Sequence, residues 1–266
     1  SAYAKHGLGK KALSCFRGMR DEGLSPDSIT FICILKVCGT LRCQDLGEEI
    51  YDEVTRRGLL KKDIVLGTAF VDMYAKCSFL KEAQHIFNKM PIRSTISWNT
   101  LIASYNNAEH SEEAIQLFEM MSDEHAKPNE VTFVAIINAC SLVGNLELSM
   151  QIHSKLVSSG KEIDSLVANA LIDSYVKCGD IHCACFVFDK MTHKDIISWN
   201  SIISGYALHG YARKSVLLVE RMQQAYIDPN DVTFLGVLSA CSRVGLIDEA
   251  VYIFISMVQD GHTILT

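Results

Sequence analysis

The chain has 266 residues, 48% of them hydrophobic, with only four Pro and a mean hydropathy of +0.15; it can bury a core, and it lacks the polar, Pro-rich tracts of a linker. No apolar run approaches the roughly 20 residues that cross a bilayer, and a formal net charge of −6 argues against the broad basic face by which most nucleic-acid binders hold phosphate. Ten Cys without any C-x-x-C read as reduced thiols, not as a zinc site or a disulfide framework.

Taken in chain order, the segments repeat. I-T-F-I-C-I-L-K-V-C from Ile29 returns as V-T-F-V-A-I-I-N-A-C from Val131 and V-T-F-L-G-V-L-S-A-C from Val232. Asp72-Met73-Tyr74-Ala75-Lys76-Cys77 returns as Asp173-Ser174-Tyr175-Val176-Lys177-Cys178. I-S-W-N-T-L-I from Ile96 returns as I-S-W-N-S-I-I from Ile197, which puts Trp98 and Trp199 101 residues apart. A superperiod built from three unequal sub-repeats is the signature of a stacked repeat array.

Each sub-repeat divides into two amphipathic segments. In the unit from Thr95 the first is expected from about Trp98 to Asn106, with Trp98, Leu101, Ile102 and Tyr105 on one helical face. The second starts near Ser111, whose hydroxyl is expected to cap it, with Glu112 and Glu113 in the first turn and Ile115, Leu117, Phe118 and Met121 as the buried stripe. Lys127-Pro128-Asn129 should end it. Helices this short bury too little alone, so hairpins must stack on neighbours. The fold expected is all-α: a right-handed superhelical α-solenoid of stacked helix-turn-helix hairpins, monomeric, with no membrane-spanning segment.

Period, signatures and order resemble the plant-type pentatricopeptide repeat family, specifically its arrays of alternating P, L and S motifs. On that resemblance residues 1–27 are a partial P motif, 28–63 an L, 64–94 an S, 95–129 a P, 130–164 an L, 165–195 an S, 196–230 a P, and 231–266 a last L motif, expected to be cut short. The first L motif has one extra residue, since Gly58 precedes Asp63 by five positions and Gly160 precedes Asp164 by four.

The resemblance implies sequence-specific binding of single-stranded RNA, one base per P or S motif, read by the fifth and the last residue of each. The implied pairs are Thr68 with Ser94, Asn99 with Asn129, Asn169 with Asp195, and Asn200 with Asn230; Asp27 closes a motif whose fifth residue is not in the sequence. In the family Asn with Asn favours C, Asn with Asp favours U, and Thr favours purines. Second residues Val65, Ile96, Leu166 and Ile197 would sandwich the bases. Lys5, Lys76 and Lys177, each thirteenth in its motif, would meet phosphate. The L motifs carry Ile32, Val134 and Leu235 at the fifth position and should read little.

By the same resemblance the chain is a site-recognition factor for C-to-U RNA editing in the mitochondrion or chloroplast. It would act without catalysis or cofactor of its own, with small accessory editing factors on its L motifs and a deaminase supplied by a missing C-terminal region or in trans. A targeting peptide would lie outside this sequence. A protein-binding helical scaffold and an RNA splicing or stability factor are the other readings.

Each residue also has a plainer role. Asn129 and Asn230 stand where helix caps stand; Asn99, Asn169 and Asn200 suit bonds to a neighbouring turn. Lys76 and Lys177 suit a helix C-terminus in any protein, and Trp98 and Trp199 suit the core. Cys183 and Cys185, two apart on a helix, point about 200° from each other and cannot share an ion. His110-Ser111-Glu112 matches the H-x-E of a zinc deaminase, but no P-C-x-x-C follows.

Overall fold

In the computed structural model residues 9–160 and 162–259 are described, and among them every regular element is helical. The elements are α1 (Gly9–Asp21), α2 (Ser28–Leu41), α3 (Gln44–Arg56), a 3-10 turn (Leu59–Lys61), α4 (Ile64–Lys76), α5 (Leu80–Lys89), α6 (Thr95–Asn107), α7 (Ser111–Asp123), α8 (Glu130–Val143), α9 (Leu146–Ser158), α10 (Ser165–Lys177), α11 (Ile181–Lys190), α12 (Ile196–Leu208), α13 (Ala212–Gln224), α14 (Asp231–Val244) and α15 (Ile247–Gln259). From α2 onward they alternate as the first and second helices of seven hairpins. The chain forms two compact units, Ser1–Ile136 and Ile137–Thr266, divided within α8.

In the N-terminal unit the first helices stack, α2 on α4 and α4 on α6, while α5 and α7 fold back on α4 and α6. Phe31, Leu35, Phe70, Met73, Phe87 and Trp98 are fully buried there, and Phe87 meets the Trp98 ring edge-on at 4.7 Å between centroids. In the C-terminal unit α10 packs on α12 and α12 on α14, with α11 and α13 behind them. The matching contact, Phe188 on Trp199, lies at 4.8 Å. Both Trp are therefore core residues, each stabilising by the few kcal/mol of a buried aromatic, about 1.5–3.

The first helix of each hairpin starts where a short polar side chain takes one of its orphan N–H groups. Asp27 accepts from Thr30 N, Asp63 from Leu66 N, Ser94 from Ser97 N and Asp164 from Leu166 N. Asn129, Asp195 and Asn230 accept from Thr132 N, Ser198 N and Thr233 N. Because Ser94 is a cap, α6 opens at Thr95, three residues before the apolar stripe begins at Trp98.

Every first helix stops at the fifteenth residue from that start, which takes a left-handed backbone: Arg42, Ser78, Glu109, Gly144, Gly179, Gly210 and Gly245. The next N–H then reaches back to the helix, as in His110 N to Tyr105 O at 2.9 Å and Asp180 N to Tyr175 O at 2.8 Å. This closure, with its left-handed residue, makes each hairpin turn tight.

Two local expectations are corrected. His110, not Ser111, is the residue before α7, and it makes no side-chain cap bond; Ser111 is already inside the helix and buried. The α7 helix also ends at Asp123, before Lys127, because His125 adopts φ 55°. Between α3 and α4 the 3-10 turn Leu59–Lys61 follows Gly58, which has φ 65°.

Candidate nucleic-acid interface

Three of the sequence-derived pairs are joined by direct hydrogen bonds. Asn99 Nδ2 donates to Asn129 Oδ1 at 2.9 Å, and Asn200 Nδ2 to Asn230 Oδ1 at 3.1 Å. Asn169 Nδ2 donates to the Asp195 carboxylate at 3.3 and 3.4 Å. In each case a partly exposed residue on the first turns of one helix (α6, α12 or α10) meets the cap of the next first helix. Cap and pair are thus one arrangement, since the Asn129 oxygen that caps α8 is the oxygen that Asn99 holds.

Thr68 and Ser94 do not touch directly. The Ser97 hydroxyl lies between them, 3.0 Å from Thr68 Oγ1 and 2.8 Å from Ser94 Oγ. Asp27 takes both the hydroxyl and the N–H of Thr30, at 2.6 and 2.7 Å. Those bonds hold its carboxyl below the usual carboxylate range, so it is an anion at neutral pH.

Val65, Ile96, Leu166 and Ile197 are 63, 69, 57 and 58% exposed, far from core values for such side chains. Sequence reasoning left out Ile29, Val131 and Val232, the second residues of α2, α8 and α14, which are just as exposed at 68, 56 and 56%. The same ladder of apolar side chains therefore runs along successive first helices within each unit. Sorting the motifs by their fifth residue concealed it.

Lys76 and Lys177 are exposed, but each ammonium is 2.7 Å from a carboxylate one turn earlier, Asp72 and Asp173. Any phosphate contact must compete with that pair. Lys76 and Asp72 border a groove of about 600 Å³ with Arg42, Thr100 and His110. Lys5 lies outside the described residues. The third residue of the motif after each pair was also missed: Ser97, Thr132, Ser198 and Thr233 are all buried beneath the caps. Reading V-T-F for its helical period hides this, because the Thr counts only as β-branched.

Among the described residues no three His, Cys, Asp or Glu side chains gather where a metal could sit, and no helix is long and apolar enough to cross a membrane. The Cys185 thiol contacts the Tyr206 hydroxyl at 2.9 Å instead of Cys183. His110 pairs with Glu113 at 3.1 Å.

Helical hairpins in series, three of whose caps are bonded to an Asn of the preceding hairpin, define a helical-repeat protein. Family profiles described as PPR repeat match residues 1–24, 68–94, 131–160, 167–196, 197–227 and 232–262, and one described as PPR repeat family matches 93–141. The chain belongs to the PPR repeat family. It is 38% identical over 259 residues to a pentatricopeptide repeat-containing protein of Arabidopsis thaliana, spanning 97% of this chain and 36% of that protein. It is 33% identical to a mitochondrial member from the same plant, over 97% of this chain and 46% of the relative. With the chloroplastic member CRR2, also from Arabidopsis thaliana, identity is 35% over 96% of this chain and 39% of CRR2. The chain thus spans less than half the length of these relatives. The crystal structure of the pentatricopeptide repeat protein PPR10 in complex with an 18-nt psaJ RNA element matches 94% of this chain and 37% of PPR10, with a TM-score of 0.71 at 17% identity. That likeness places the fold among PPR solenoids.

Proposed function

We propose that this chain binds single-stranded RNA sequence-specifically, one base per P or S motif, as the site-recognition part of an organelle C-to-U RNA-editing factor. The observation that carries the reading is the bond between fifth and last residues in three motifs. Each Asn amide spends one N–H on its partner and keeps the other for a base edge, held at a fixed place by the helix. An exposed aliphatic side chain sits three residues before each of these Asn and offers a flat apolar contact to a base. Such recognition does not need a basic face, which suits a net charge of −6.

PPR10 is described with an RNA element bound, and relatives are named mitochondrial or chloroplastic; both support carrying RNA binding and an organelle address to this chain. The P-L-S division at 27, 63, 94, 129, 164, 195 and 230 is part of the reading, because it puts each helix-capping side chain at the end of a motif. No chemistry is assigned to the chain itself; the deaminase would be a further C-terminal region or a separate protein. Leu235, 68% exposed where a base reader would stand, favours the L motifs as seats for small accessory editing factors.

The test is a one-residue change of code. Asn200→Thr with Asn230 kept should turn the C preference at that position toward A by a factor of about 5, the worth of roughly 1 kcal/mol for a single-side-chain contact. Other positions should not move. An equal loss of affinity for all four bases would make Asn200 structural and refute the register.

A further inference from the structure

The amides that would read the bases are not held alike. Asn99 is gripped on both sides: its Nδ2 donates to Asn129 Oδ1 at 2.9 Å, and its Oδ1 accepts from the Thr132 hydroxyl at 2.6 Å. Asn200 repeats this with Asn230 at 3.1 Å and Thr233 at 2.6 Å. Thr132 and Thr233 are 0 and 1% exposed. Each hydroxyl accepts from the backbone N–H of its cap, Asn129 or Asn230, at 3.1 Å, which leaves its single proton for an acceptor. Two acceptors compete, the reading Asn at 2.6 Å and the cap oxygen at 3.0 or 3.1 Å, and the shorter bond takes the proton.

Asn169 differs. Ser198 stands where the Thr would be, but its hydroxyl donates to Asp195 O at 2.8 Å. Asn169 Oδ1 is buried with no hydrogen-bond partner among the described residues. One side of that amide is therefore fixed and the other is not.

We infer that Thr132 and Thr233 are specificity-determining positioning residues: each fixes the orientation of the Asn amide in the preceding motif, so that N–H and C=O face the base in one order only. This rests on the RNA-binding reading above. An amide free to turn over would offer donor and acceptor interchangeably and separate cytosine from uracil poorly, since the two bases exchange donor and acceptor along their Watson–Crick edges; at Asn169 only the Asp195 carboxylate, which can accept but not donate, opposes that turn. The choice made at Asn99 and Asn200 is thus set partly by a residue that touches no base, in the next motif along the chain.

Two measurements test it. In the RNA-free wild-type protein, NMR relaxation of the side-chain amides should find Asn99 and Asn200 more rigid than Asn169; equal mobility at all three would overturn the clamp, and this readout needs neither RNA nor a variant. With RNA, Thr132→Val should lower the C-over-U ratio at the Asn99 position by about 2- to 10-fold, the range of one net hydrogen bond, and leave the Asn200 position unchanged. Thr233→Val should do the reverse. A uniform loss of affinity with an unchanged ratio would overturn the inference. A wild-type chain indifferent to the base at both positions would instead refute the RNA reading, while the amide relaxation still decides whether the clamp exists.

Discussion

Cys38, Cys140 and Cys241 occupy one place in α2, α8 and α14 and are all buried, at 0, 0 and 1% exposure. Burial disfavours the thiolate and pushes Cys38 up to about 12 and Cys140 up to about 11. Since only the thiolate attacks an alkylating reagent, these thiols should stay unmodified by iodoacetamide at pH 8 while exposed Cys15 is modified, and all should react once the chain is unfolded. Equal labelling of Cys15 and Cys140 in the folded protein would contradict the packing. Their recurrence at one place in three repeated segments fits a packing role, because three equivalent positions with one small side chain need a common cause. Asn99, Asn169 and Asn200 were picked out by the resemblance to the pentatricopeptide repeat family. It could not find Thr132 or Thr233, since a hydroxyl's role depends on a neighbour 33 residues away that only the hairpin stacking brings within 2.6 Å.

At the level of the helix, the hairpin turn is the feature the sequence displays unevenly. Gly144, Gly179, Gly210 and Gly245 announce a left-handed helix end, but Arg42, Ser78 and Glu109 fill the same place with φ of 54, 72 and 64°. A side chain there costs roughly 1–2 kcal/mol in the left-handed region, which glycine avoids, offset by about 0.5–1 kcal/mol of extra unfolded-state entropy. Glu109 is exposed and ends α6 with its backbone alone. Glu109→Gly should therefore raise the stability of the folded chain, by up to about 1.5 kcal/mol in urea denaturation. A drop in midpoint would show that Glu109 makes a favourable contribution that its backbone geometry does not account for. Helix starts were legible to within a few residues where a cap precedes the apolar stripe. Ser111 misled because a hydroxyl at a helix start resembles a cap, whereas the turn at Glu109 and the closure onto Tyr105 put His110 in that place.

For the molecule as a whole, period was the most legible property, because a repeated sequence must repeat its packing; Phe87 on Trp98 and Phe188 on Trp199 are the same contact in the two units. Charge was the least informative, since the thirteenth-position Lys76 and Lys177 are neutralised locally by Asp72 and Asp173, an i, i+4 pairing worth only about 0.3–0.5 kcal/mol and easily exchanged for phosphate. A row of exposed aliphatic residues and hydrogen-bonded amides on an acidic chain points to affinity drawn from bases more than from the backbone. Selection from a random single-stranded RNA pool tests this most directly. The account predicts one ordered consensus, (G or U)-N-(purine)-C-N-U-C-N from 5′ to 3′, with C, U and C opposite Asn99, Asn169 and Asn200 and no preference at the L motifs; enrichment without an ordered consensus, or a preference that survives Asn99→Ala and Asn200→Ala together, would contradict it.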